Sequence, residues 1–120
     1  MKKMLCVVSR PPYSGSHDLE LIEAAMVGAV FDLKVSVLFR GEGVWALLEG
    51  QNADALGVRT FSKVVSALPA YEVEDIYVCA EALTAHGVTA AELCLPAQVL
   101  TPDEQGQLIQ QQDVVLGAQT

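Results

Sequence analysis

"DIYVCAEALTAHGV", Asp75 to Val88, changes character at its middle. The first five residues read as a short extended strand, Asp75 to Cys79. From Ala80 the small and apolar residues fall at helical spacing. The pattern runs out at Gly87, a residue suited to the position just past a helix end. A strand passing directly into a helix is one βα unit, and several such units in a row predict a parallel sheet.

The same alternation extends in both directions. "MLCVVS" (Met4 to Ser9) is a continuous apolar run of the kind buried on both faces, and "KVSVLF" (Lys34 to Phe39) reads as the second buried strand. Between them "RPPYSGSH" is a loop rich in breakers. Ser16 is the expected N-cap of a helix whose buried face is read as Leu19, Ile22, Ala25, Met26, Ala29 and Val30. A short helical segment is expected over Val44 to Glu49, and another pattern through Phe61, Val64, Val65 and Leu68, closed by Pro69. "AQVL" (Ala97 to Leu100) reads as a fourth strand. Thr101 then caps a helix opening with Pro102, Asp103 and Glu104. "DVVLG" supplies a fifth strand. The expected fold class is α/β, a three-layer α/β/α sandwich with a mostly parallel five-stranded sheet, in a single domain over residues 1–120.

Composition restricts what such a sandwich does. Seven basic residues against fifteen acidic ones leave a net charge of −8. That balance argues against direct binding to nucleic acid or to an anionic membrane, both of which need clustered Lys and Arg. No apolar run is long enough to span a bilayer, and "MKKMLCVVS" is too short for a signal peptide, so a cytoplasmic chain is expected. Three widely spaced cysteines fit a reducing compartment. The apolar share is 52% and the charged share 18%; average proteins carry roughly 25% charged residues. The apolar surplus predicts subunit contacts.

Sites in open α/β sheets gather beyond the carboxyl ends of the strands. Three segments should meet there: the loop after the first strand, the "RGEGVW" turn after the second, and Cys79. Two readings of Cys79 stand. The unpaired N–H groups of the following helix favour a thiolate, the nucleophile of sulfur chemistry. Its neighbours Val78 and Ala80 are apolar, and Asp75 and Glu81 are acidic; these oppose ionisation and suit a packing role. Cys6 and Cys94 read as packing residues, and His86 as a helix-end residue. Arg10, Tyr13, His17, Arg40 and Trp45 fall on the same edge and are candidates for a site rim or a partner contact. No Cys or His spacing indicates a metal, and no phosphate-binding fingerprint indicates a nucleotide, so no cofactor is expected.

"SRPPYSG", "FDLKVSVLF", "EGVWALLEGQ", "YVCAEALTAHGV" and "QQDVVL" together resemble the DsrF/TusC family, in order and across almost the entire chain. The most specific portion comprises Gly43, Val44, Leu47, Leu48, Gly50 and Gln51. The resemblance implies a parallel α/β/α subunit of a cytoplasmic heterohexamer, two copies each of three related chains. It also implies partners: sister DsrE/TusD-like and DsrH/TusB-like subunits, and small sulfur-carrier proteins. In the Tus version persulfide sulfur passes between carriers towards the 2-thiouridine of the tRNA wobble base; in the Dsr version the complex serves sulfur oxidation. The family's persulfide cysteine belongs to the sister subunit, at the end of its third strand. Cys79 looks like its counterpart here, on a chain that otherwise resembles the structural branch. The resulting expectation is a mainly architectural subunit of a sulfur-relay complex. The alternatives are a DsrE-type sulfurtransferase working as a homo-oligomer with Cys79 as carrier, and an anion-binding module of flavodoxin-like shape.

Overall fold

A computed structural model describes residues 2–9, 17–41, 43–44, 67–71, 73, 75–89, 93 and 96–117. Five strands alternate with helices: β1 (Lys3–Val8), α1 (His17–Val30), β2 (Lys34–Phe39), β3 (Asp75–Cys79), α2 (Ala80–Ala85), β4 (Gln98–Leu100), α3 (Pro102–Gln110) and β5 (Val114–Leu116). All four ladders are parallel, in the order β4-β3-β2-β1-β5. The α/β fold expected from the sequence is the one observed.

Alternation along the strands divides the core in two. Met4, Cys6, Val8, Val35, Val37, Phe39, Ile76 and Val78 face one way and pack with Ile22 and Ala25 of α1 and Ala82 and Leu83 of α2. Leu5, Val7 and Leu38 face the other way and meet Leu108 and Ile109 of α3. Helices therefore cover both faces, which explains why β1 and β2 are buried on both sides after their opening lysines, Ser36 being the one polar residue among them.

Both crossover helices on the first face end in the same way. After α2, Gly87 stands at φ 66°. The Gly87 N–H donates to the Thr84 carbonyl (3.2 Å) and that of Val88 to Leu83 (2.9 Å). Val88 and Leu83 are both buried, completing a Schellman stop with its apolar contact. After α1 the same pair of bonds runs from Asp32 to Ala29 (3.1 Å) and from Leu33 to Gly28 (3.1 Å), with Asp32 at φ 65°.

Two details differ from the sequence reading. Val30 is 67% exposed and does not belong to the buried face of α1. At about 100° per residue it lies roughly 140° around the helix from Ala25. The buried stripe instead takes in Leu21, Ile22 and Ala25, with Gly28 against Met4 and Val35. Pro69 sits inside a 3₁₀ turn, Leu68–Tyr71. That turn anchors the chain before β3 through the fully buried Leu68. The expected N-cap Ser16, the remainder of Val44 to Glu49 and the pattern from Phe61 to Val65 lie outside the described residues.

Candidate functional site at the carboxyl edge

Cys79 is the last residue of β3 and the N-cap of α2, with φ −74° and ψ 124°. Its thiol makes no capping hydrogen bond, so the first N–H groups of α2 are not taken up by that side chain. The residue is half-buried and rests against the first-face core. Just beyond it, a shallow recess of about 340 Å³ runs along α2, lined by Ala80, Glu81, Thr84 and Ala85. Cys6 differs in every respect. It lies mid-strand with no exposed surface, and burial pushes its thiol from 9.0 up to about 11. The packing role expected of Cys6 is observed; Cys94 lies outside the described residues.

Register assembles the surroundings of Cys79. Val8, Phe39 and Val78 share one row across β1, β2 and β3. On its other side, β4 places Leu100 opposite Cys79. Arg40 is half-buried, and its backbone N–H donates to the Val8 carbonyl at 2.9 Å. The turn then folds back tightly, with the Gly43 N–H bonded to the Arg40 carbonyl (3.0 Å). A Cβ on Gly43 would collide with the Val8 carbonyl, so glycine is the residue that fits there. Val44 follows, fully buried. Arg40 and Gly43 thus seat against the end of β1.

Of the expected rim residues, Arg40 directly follows β2 and is half-buried. Arg10, Tyr13 and Trp45 lie outside the described residues; His17 opens α1 by its backbone, and its side chain is likewise not described. His86 caps the far end of α2, as expected.

One positioning residue escaped the sequence reading. Gln105 is 6% exposed, and its Nε2 donates to the Leu100 carbonyl at 3.1 Å. This bond ties the first turn of α3 to the strand lying beside Cys79. Its sequence signal was faint: a lone Gln four residues after the cap Thr101, in a helix whose other described glutamines are exposed. Among the described residues no cluster of His, Cys, Asp or Glu is arranged to hold a metal, and no helix is long and apolar enough to cross a membrane.

A parallel sandwich covered on both faces, with an uncapped cysteine where its third strand becomes a helix, defines a class of small thiol-bearing α/β proteins. The chain belongs to the DsrE/DsrF-like family, whose model matches residues 2–117. A TusC homolog of Pseudomonas aeruginosa is 33% identical over 117 residues, covering 97% of this chain and 98% of that protein. The intracellular sulfur oxidation protein DsrF of Allochromatium vinosum is 37% identical over 93 residues, covering 78% of this chain and 68% of its own length. Among solved structures, the ychN protein of E. coli matches with a TM-score of 0.78 at 20% identity, covering 97% and 98% of the two chains. A protein of unknown function from Methanobacterium thermoautotrophicum matches with a TM-score of 0.66 at 16% identity, over 92% and 90%. These two likenesses confirm the fold.

Proposed function

We propose that this chain is a subunit of a multi-subunit sulfur-relay complex and that its own part is mainly architectural. The observation that carries the reading is likeness to a TusC homolog over nearly the full length of both chains. It favours a relay that ends in 2-thiouridine at the tRNA wobble base; the DsrF relative keeps sulfur oxidation as the second destination. The exposed Val27, Val30 and Phe31 at the end of α1 fit a chain that is covered by others when assembled. Net charge −8 fits sulfur moving from protein to protein, with no contact between this chain and tRNA.

A catalytic role for Cys79 is the second reading, favoured by its half-exposed place at the start of α2. The Cys79 thiolate would attack the terminal sulfur of a donor persulfide. The donor S–S bond would break, the donor leaving as thiolate and Cys79 becoming the persulfide. An acceptor thiolate would then repeat the exchange, with no net oxidation.

Co-expression with neighbouring genes followed by native mass spectrometry tests the assembly. An assembly with two related chains is expected, and a solitary monomer would refute it. Relay activity of that assembly carrying Cys79→Ser separates the two roles. Unchanged transfer is the architectural outcome; loss of transfer, with a sulfur adduct trapped on wild-type Cys79, makes this chain the carrier.

A further inference from the structure

The amino-terminal end of the first face, away from Cys79, carries an apolar surface that the core does not use. Four of the six large apolar side chains exposed among the described residues lie there, on two elements. Val27, Val30 and Phe31 (74% exposed) belong to the last turn of α1 and the residue after it. Tyr71 (48% exposed) belongs to the 3₁₀ turn Leu68–Tyr71, whose Pro69 and Ala70 are exposed as well.

The two elements form one surface. The 3₁₀ turn packs against α1 and leads into β3. Leu21 of α1 lies beside Gly117, just past β5. In the sheet, β3 and β5 stand on opposite sides of the β1–β2 pair. At about 100° per residue Val30 is turned roughly 180° from Leu21, so it falls on the flank towards the 3₁₀ turn. Val27 and Phe31 continue the patch outward, on the side of α1 away from Ile22 and Ala25. Exposed apolar side chains gathered on adjoining elements mark a contact surface.

Charge selects the occupant. Glu23, one turn before Val27, and Asp32, next to Phe31, are both exposed. α1 contains Asp18, Glu20 and Glu23 but no Lys or Arg. Its carbonyl end, with no basic residue in the last turn, adds to the negative potential. Of the four basic residues described, Lys3 and Lys34 line a recess beneath α3 and Arg40 follows β2 at the carboxyl edge, leaving at most Lys2 on this side. A stable contact buries about 800 Å² on each partner, more than these few side chains supply, so the acidic border is part of it. Two copies of a chain of net charge −8 would set acid against acid.

We infer that this surface docks a different protein chain, whose matching patch is apolar at its centre and bordered by Lys or Arg. The inference rests on the reading of this chain as one subunit of an assembly. Docking there is directed away from the carboxyl edge and Cys79.

Native mass spectrometry of the co-expressed assembly, serially diluted at low and high salt, tests this. Val30→Ala combined with Phe31→Ala is expected to weaken assembly by about tenfold or more. Glu23→Lys is expected to weaken it severalfold at low salt, an effect that added salt screens. Asp103→Lys, the same charge change on the exposed side of α3, is expected to leave assembly as in wild type. All these sites are exposed, so the isolated variants should melt as wild type does; if the double variant fails to fold, Glu23→Lys still decides. Equal assembly by wild type and the folded double variant would overturn the surface and leave the subunit reading standing. An unaffected Glu23→Lys would overturn the basic border. A homodimer of the isolated chain, abolished in the double variant, would make a second copy the occupant and overturn the proposal. A wild-type chain that assembles with nothing would remove both the proposal and the subunit reading.

Discussion

Two cysteines of this chain have nearly the same local sequence, one apolar residue on either side, and opposite fates. Cys6 is sealed mid-strand and Cys79 stands at a strand end, so only the latter is available to chemistry. Burial gives Cys6 a folded-state pKa of about 11 against 9.0. A raised thiol pKa means that the native state holds its proton longer than the unfolded chain does. The associated stability is complete below pH 9 and is lost as pH climbs towards 11, by at most about 3 kcal/mol. Denaturant titrations across that window are expected to show the decline, and Cys6→Ala should flatten it. A Cys6→Ala protein with the same alkaline slope as wild type would assign the effect to other groups, Tyr77 first among them.

Residue type and neighbours alone could not make that distinction. Val78 and Ala80 resemble Leu5 and Val7 in polarity, and the sequence left Cys79 between a packing and a chemical role. What separates the two is position along the strand, which the strand pattern of the sequence already placed, Cys6 within its strand and Cys79 at the end of its own. Gln105 and Gln112 illustrate the opposite difficulty. Both sit among surface-type residues, and the burial of Gln105 and of the Gln112 Oε1 atom follows from how α3 lies across the sheet, a long-range outcome with no local signature.

At the scale of elements, boundaries that rest on local chemistry were the most legible. Thr101 accepts from the Glu104 N–H (3.3 Å) while Glu104 Oε1 accepts from the Thr101 N–H (2.9 Å), a capping box in the place the sequence assigned to the cap. Gly87 ends α2 as read. The stop of α1 was hidden because Asp32 takes the left-handed position that glycine usually fills. Aspartate tolerates φ 65° at some cost. Asp32→Gly is therefore expected to stabilise the fold by about 0.5–1 kcal/mol, and Gly87→Ala to destabilise it by about 1 kcal/mol. Thermal melts of the two variants check both signs; a destabilised Asp32→Gly would mean that the carboxylate makes a compensating contact.

Across the whole molecule, β2 occupies the centre of the sheet and β4 and β5 its borders, each only three residues long. Leu5 to Val8 and Val37 to Phe39 have no exposed surface, whereas Val99 and Val114 are more than 40% exposed. Hydrogen exchange should rank accordingly. Amides of β1 and β2 are expected to exchange only on global unfolding, and those of β4 and β5 by local opening. Edge strands protected as strongly as β2 would contradict this ranking. The strand-helix alternation made the parallel class readable in advance, but strand order was not. Nothing local tells β5 to pass over three neighbours and settle beside β1.

That final pairing sets the timetable of biosynthesis. Met4 lies against Val114, 110 positions later, and the Lys3 N–H donates to Asp113 at 2.7 Å. As the polypeptide leaves the ribosome from its amino end, β1 must wait with one flank of its backbone unsatisfied until Val114 to Leu116 emerge. Ribosome stalling or a premature stop before Val114 would release a sheet with an open, apolar border, the sort of species chaperones retain.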